Sequence, residues 1–180
     1  MNYLGISKCS IADGPGVRVV LWVSGCNIHC QGCQNPSSWD FSAGDVFDEA
    51  AKERLFEALN HSWVKGLTIS GGHPLEFENL QDINKLIQEV KERFPDKDIW
   101  LYTGYELNTN NFTTIIKGLT RQDTQHNYIC QILNNCDVVI DGPYVESLRD
   151  VSLKFRGSSN QRIIDVKKTL EQHKINLLED

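Results

Sequence analysis

The sequence predicts an α/β fold built around a parallel sheet, on three observations. Short β-branched or apolar runs alternate with stretches whose apolar residues recur at helical spacing, the pattern of βαβ units. Each of the more apolar runs ends in a turn bearing Gly, Ser, Thr or Asp. The residues with the most chemical potential sit in those turns, and in parallel α/β folds such loops leave the sheet on one face.

In chain order, the first strand is expected at Val17–Val23, an almost unbroken apolar run. Residues 48–59 have helical spacing, and a second strand is expected at residues 67–70. Leu80, Ile83, Leu86, Ile87, Val90 and Phe94 then form an i, i+3, i+4, i+7 stripe that stops at Pro95, so a helix is expected there. Strands follow at residues 99–103 and Val138–Asp141, with a less apolar run at residues 162–166. Residues 111–119 and 128–133 are read as further helices, and residues 122–127 as an exposed polar loop.

Length and composition bound the rest. A chain of 180 residues with 40% hydrophobic content and no linker, repeat or low-complexity tract is expected to fold as a single domain over residues 1–180. The N-terminal run lacks a long apolar core, and no segment approaches the roughly 20 apolar residues that span a bilayer. A cytoplasmic protein with no membrane association is expected. The net charge of −6, with no concentrated basic face, argues against nucleic-acid binding.

Three of the six cysteines, Cys26, Cys30 and Cys33, crowd into eight residues directly after the first strand. Three thiolates on one loop suit a [4Fe-4S] cluster with one iron left open to a further ligand. The competing reading is a zinc site with His29 as the fourth ligand, against which stands the usual arrangement of zinc ligands as two separated pairs. Disulfides are not needed in a chain able to build a core of this size. Cys9, Cys130 and Cys136 are most simply free thiols.

Gly71-Gly72, with His73-Pro74, follows the second strand. Two residues without side chains permit positive φ and close backbone approach, and would leave backbone polar groups free for a ligand. An ordinary turn is the alternative. Asp13-Gly-Pro-Gly-Val-Arg18 reads as a rigid turn into the first strand, with Arg18 either a surface residue or an anion clamp.

These residues carry a resemblance. CxxxCxxC after one strand and Gly-Gly-X-Pro after the next resemble the radical S-adenosylmethionine (SAM) superfamily, and Asp-Gly-Pro-Gly-Val-Arg narrows this to activating enzymes of glycyl-radical proteins. Cys33-Gln-Asn35 with Trp39, Asp98-Ile-Trp-Leu-Tyr-Thr-Gly-Tyr105, Asp141-Gly142 and Phe155-Arg-Gly-Ser-Ser-Asn-Gln161 are similar to the activases of anaerobic ribonucleoside-triphosphate reductases. The similarity runs from about residue 3 to about residue 165.

The resemblance implies an incomplete parallel (β/α) barrel of the radical SAM type, whose open side admits a partner's loop. It implies that Cys26, Cys30 and Cys33 ligate three irons of a [4Fe-4S] cluster and that SAM chelates the fourth. Gly71 and Gly72 would meet the methionine end of SAM, with Gly32, Cys33 and Gln34 along the bound cofactor. Beyond cluster and SAM, no catalytic side chain is implied. The implied partners are the large subunit of an anaerobic ribonucleoside-triphosphate reductase and an electron donor such as flavodoxin. Two positions depart from the pattern. His73 stands where the superfamily usually has Glu and this family often Asp, and Gly32 stands where many members place an aromatic residue against adenine. A compact radical SAM enzyme acting on a small molecule, such as a deazapurine-forming synthase, is the alternative within the superfamily. The Asp-Gly-Pro-Gly-Val-Arg and Arg-Gly-Ser-Ser-Asn-Gln runs argue against it.

Overall fold

The computed structural model describes residues 1–113 and 121–178. Seven strands, β1 (Asn2–Ser10), β2 (Val17–Val23), β3 (Asp45–Val46), β4 (Val64–Gly71), β5 (Asp98–Tyr102), β6 (Val138–Asp141) and β7 (Arg162–Asp165), form one sheet in the order β3-β1-β2-β4-β5-β6-β7. The helices are α1 (Glu49–Leu59), α2 (Phe77–Arg93), α3 (Asn110–Thr113), α4 (Arg121–Asn135) and α5 (Val166–Gln172). The α/β class is as expected, but the sheet is mixed. Its four central strands, β2, β4, β5 and β6, run parallel, while β1, β3 and β7 join antiparallel.

The reversal at β7 has a local cause. A parallel return needs a crossover, usually a helix, and the link between β6 and β7 carries only one 3-10 turn, Glu146–Leu148. Asp141 therefore lies directly opposite Arg162. Fully buried, Asp141 accepts from Arg162 Nε at 2.9 Å and from the Leu107 amide at 2.8 Å, which fixes the register by charge as well as by backbone pairing.

Strand alternation divides the sheet into two environments. Val19, Leu21, Val23, Leu67, Ile69, Ile99, Leu101 and Val139 share one face and pack with Leu55, Leu59, Ile83, Ile87, Ile132 and Leu133 of α1, α2 and α4. The alternate residues face away from the helices. There Trp100, Val138, Ile140 and Ile163 form a smaller cluster with Tyr102, Phe155 and Leu178. Among the described residues no α-helix packs on this face, and here a cavity opens.

Arg18 is neither at the surface nor a clamp for an external anion. Its side chain is fully buried, with Nη1 2.5 Å from Asp98 Oδ1 in an ion pair off the hydrogen-bond direction. Arg18 Nε donates to Thr68 Oγ1 at 2.7 Å, and Nη2 donates to the Leu67 carbonyl at 2.8 Å. Burial lowers its pKa, and the charge of Asp98 opposes that shift.

Three elements escape the sequence reading: β1, with Tyr3 its one buried residue, the two-residue β3, and α5, capped by Asp165 accepting from the Lys168 amide. One expected loop is overturned as well. Residues 122–127 are the first turns of α4 and not a loop, because only its second half, at Ile129, Cys130, Ile132 and Leu133, presents a buried apolar stripe. Of the helix expected at 111–119, residues 114–119 lie outside the described residues. Among the described residues, no helix is long and apolar enough to cross a membrane.

Candidate metal centre and cofactor cavity

The parallel strands deliver their loops to one rim. Residues from the β2, β4, β5 and β6 loops border a cavity of about 430 Å³, whose floor is the helix-free face at Trp22, Ser70 and Tyr102. Cys26, Cys30 and Cys33 all line it, together with Gln34, Gly71 and Gly72. Gly32 does not line it. It faces Glu146 in the link between β6 and β7: an added Cβ would fall 2.2 Å from Glu146 Oε2, and its φ of +75° favours glycine.

The cysteine loop is folded by its own backbone. The Cys33 amide donates to the Cys30 carbonyl at 3.1 Å, the Cys26 amide to the Trp39 carbonyl at 3.1 Å, and the Gly25 amide to the Ser38 carbonyl at 2.8 Å. The Asn35 amide points at Cys33 Sγ from 3.4 Å, the kind of N–H···S contact that tunes iron–sulfur centres. Burial pushes the Cys26 thiol up; the Ile28 and His29 amides oppose this, and the negative charge of Glu76 adds to it. A cationic centre would be needed to hold it as thiolate.

The donor set fits an iron–sulfur cluster better than a zinc ion. Three half-buried thiols share one cavity, yet among the described residues no three His, Cys, Asp or Glu side chains converge as one metal ion requires. His29 is exposed and stacked on Trp39, with ring centroids 4.5 Å apart.

The Gly-Gly edge lies against this loop and is less open than the sequence suggests. The Gly72 amide donates to the Val23 carbonyl and the His73 amide to the Gly25 carbonyl, both at 2.7 Å, so neither is left for a ligand. Gly71 carries the positive φ, +103°. At Gly72 the constraint is space, since an added Cβ would lie 2.6 Å from the Gly25 carbonyl oxygen and 2.9 Å from that of Ser38. From sequence alone, Gly72→Val is expected to weaken SAM binding with the cluster assembled. Because these contacts are backbone atoms next to Cys26, the substitution is now expected to lower iron content as well. Iron and sulfide analysis after reconstitution checks this, and a full cluster complement in the variant would show that the loop yields.

Beneath the loop lies a buried polar network that the motifs did not reveal. Glu76, 6% exposed, accepts from the Asn27 amide at 3.0 Å and from Asn27 Nδ2 at 2.9 Å. His73, 1% exposed, places Nδ1 3.0 Å from Glu76 Oε1 and Nε2 2.7 Å from Thr103 Oγ1. Burial alone would raise the Glu76 carboxyl, but hydrogen bonds from His73 and Asn27 bring it down to about 2. An ionised carboxylate only accepts, so Nδ1 carries the proton. Asn79, also buried, donates to the Ser24 and His73 carbonyls at 2.9 and 3.2 Å. The sequence signal was available as a His, a Glu and an Asn at three-residue intervals entering a helix.

The far wall comes from the run before β7. The Gly157 and Ser158 amides donate to Gln161 Oε1 at 2.9 and 3.2 Å, and Gln161 Nε2 donates to the Gly142 carbonyl at 3.1 Å. Tyr102 Oη donates to the carbonyl of Phe155, whose φ is +59°. Phe155, Arg156, Gly157 and Gln161 all line the cavity.

Comparison with known proteins agrees with this geometry. The family described as 4Fe-4S single cluster domain matches residues 12–164. The chain is 41% identical over 163 residues to the anaerobic ribonucleoside-triphosphate reductase-activating protein of Enterobacteria phage T4, covering 91% of this chain and 93% of that one. It is 38% identical over 163 residues to the protein of that name from Escherichia coli (strain K12), covering 89% and 96% of the two chains. Against the Haemophilus influenzae protein of the same name, identity is 39% over 165 residues, with 91% and 97% covered.

Proposed function

Because the chain belongs to the 4Fe-4S single cluster domain family and to the anaerobic ribonucleoside-triphosphate reductase-activating proteins, we propose that it activates such a reductase by radical SAM chemistry. The observation that carries this reading is the opening of Cys26, Cys30 and Cys33 onto one cavity bordered by Gly71 and Gly72. In this reading residues 1–180 act as a single radical SAM domain, the helix-free face of the sheet is the inner wall of an incomplete barrel, and the protein works in the cytoplasm.

Cys26, Cys30 and Cys33 would hold a [4Fe-4S] cluster. When bound, the cluster would supply one electron for the reductive cleavage of SAM, the chemistry by which a hydrogen atom would be removed from a glycine Cα of the reductase's large subunit. The chain's own work is placement and exclusion. Gly71 and Gly72 border the cavity beside the cysteines, and Cys33 and Gln34 extend the wall along it. Gly32 takes the positive φ that turns the loop between Cys30 and Cys33. Trp22 and Tyr102 form an apolar floor that keeps water from the reacting carbon. The far wall at residues 155–161 is where a partner's loop would enter. The electron donor is proposed to be a flavodoxin-like protein.

The test is anaerobic. Reconstituted protein, SAM, a reductant and the cognate reductase are mixed, and the electron paramagnetic resonance spectrum is recorded with SAM omitted as the control. A glycyl doublet on the reductase is expected only in the complete mixture. SAM turnover without a protein radical, but with conversion of a purine-like small molecule, would overturn the reading.

A further inference from the structure

The network beneath the cysteine loop offers a role that the cluster ligands and the Gly-Gly edge do not cover. Glu76 stands at the N-cap of α2, where a side chain normally accepts from the first-turn amides. It makes no such bond. Its carboxylate turns instead to Asn27, the residue after Cys26, and to His73, the residue after Gly72. All three donors are spent on this one group, and His73 reaches on to Thr103 in the β5 loop. Both His73 and Thr103 line the cavity.

We propose that Glu76 is a positioning residue for the cofactor site: it clamps the loop bearing Cys26 to the Gly71–Gly72 edge through Asn27 and His73, and so sets how SAM meets the cluster. The inference rests on the radical SAM reading. A carboxylate suits this clamp because every partner is a donor. Glutamine would keep its oxygen on the Asn27 amide and His73 but turn its N–H₂ toward the Asn27 side chain, which must flip to accept, so the clamp loses its charge and rearranges. Aspartate would keep the charge but is one methylene too short to span both partners. The ionised group also bears on the cluster site itself, for its carboxylate accepts from the amide of Asn27, the residue after Cys26, at 3.0 Å.

These two contributions are separable. Glu76→Gln and Glu76→Asp would be purified anaerobically and reconstituted beside the unsubstituted protein, then compared in iron content, midpoint potential of the cluster and affinity for SAM by titration. Both variants are expected to bind SAM at least tenfold more weakly at near-normal iron content. Only Glu76→Gln, which removes the charge, should move the potential in the positive direction. A purely structural role would alter thermal stability and leave the potential where it was. Should Glu76→Gln fail to fold, His73→Gln breaks the same clamp with Glu76 intact, and it is expected to weaken SAM binding with the potential unchanged. Normal SAM affinity in the variants that fold, while the unsubstituted protein binds SAM, would overturn the clamp alone. Absence of a cluster or of SAM binding in the unsubstituted protein would overturn the functional reading and the clamp with it.

Discussion

Cys26→Ala, Cys30→Ala and Cys33→Ala are each expected to yield folded protein that holds no SAM-cleaving cluster, while Cys9→Ala, Cys130→Ala and Cys136→Ala keep it. The first three side chains line the cavity. The others do not: Cys9 lies exposed on β1, and Cys130 and Cys136 are buried in and just after α4. A [4Fe-4S] cluster already short of one protein ligand does not tolerate the loss of another. The loop should survive, because its fold rests mainly on backbone bonds among Gly25, Cys26, Cys30, Cys33, Ser38 and Trp39, and only in part on thiol contacts such as the Asn35 amide to Cys33 Sγ. Iron content and the electron paramagnetic resonance spectrum of the reduced protein check the result. Full SAM cleavage by Cys30→Ala would remove that residue from the ligand set.

What the sequence made legible follows from where the chain is buried. β2, β4, β5 and β6 are apolar runs because helices cover one face and a cluster or cavity wall the other, and the expected strands overlap the observed ones. The helix α2 was visible because it buries Leu80, Ile83, Leu86, Ile87 and Val90 on one stripe. β1 was invisible for the opposite reason: Asn2–Ser10 buries only Tyr3, and its irregular pairing with β2 breaks the alternation by which strands are read. The antiparallel β7 could not be told from a parallel strand by composition, since strand direction is set by the link before it.

The candidate site divides in the same way. Cysteines in a tight run and paired glycines announce themselves, and five of the six cysteine-loop and glycine positions singled out, together with Gln34, border one cavity. Gly32 is the exception: it does not line the cavity and instead faces Glu146. Glu76, Asn27 and Asn79 did not stand out, because a lone Glu or Asn on a helix is ordinary and its meaning lies in partners about 50 positions away in the sequence. His73 stood out in the sequence only as a departure from the family pattern. Its burial between Glu76 and Thr103 makes it the hinge of the network.

Arg18→Ala is expected to destabilise the fold by about 3–5 kcal/mol, the cost of leaving one charge of a buried pair uncompensated. The argument is local. Arg18 is fully buried, whereas the Asp98 side chain keeps 23% of its exposure, so the carboxylate left behind is only partly rescued by water. The loss also removes the donors to Thr68 Oγ1 and the Leu67 carbonyl, both inside the sheet. Trp100 loses the guanidinium that lies 5.3 Å from its ring centroid, and with it a cation–π contact. At about 2–4 °C per kcal/mol for a chain of this size, the midpoint should fall by roughly 10 °C. Arg18→Met with Asp98→Asn should recover part of this, since it refills the volume and removes the unpaired charge. The site should feel the change at second hand: Thr68 Oγ1 donates to the Asp13 carbonyl at 2.8 Å, and Asp13 lines the cavity, so freeing Thr68 loosens one rim loop. Denaturant unfolding of the three proteins decides the matter. A loss under about 1 kcal/mol for Arg18→Ala would mean that water reaches Asp98 and that the pair contributes no more than a surface salt bridge.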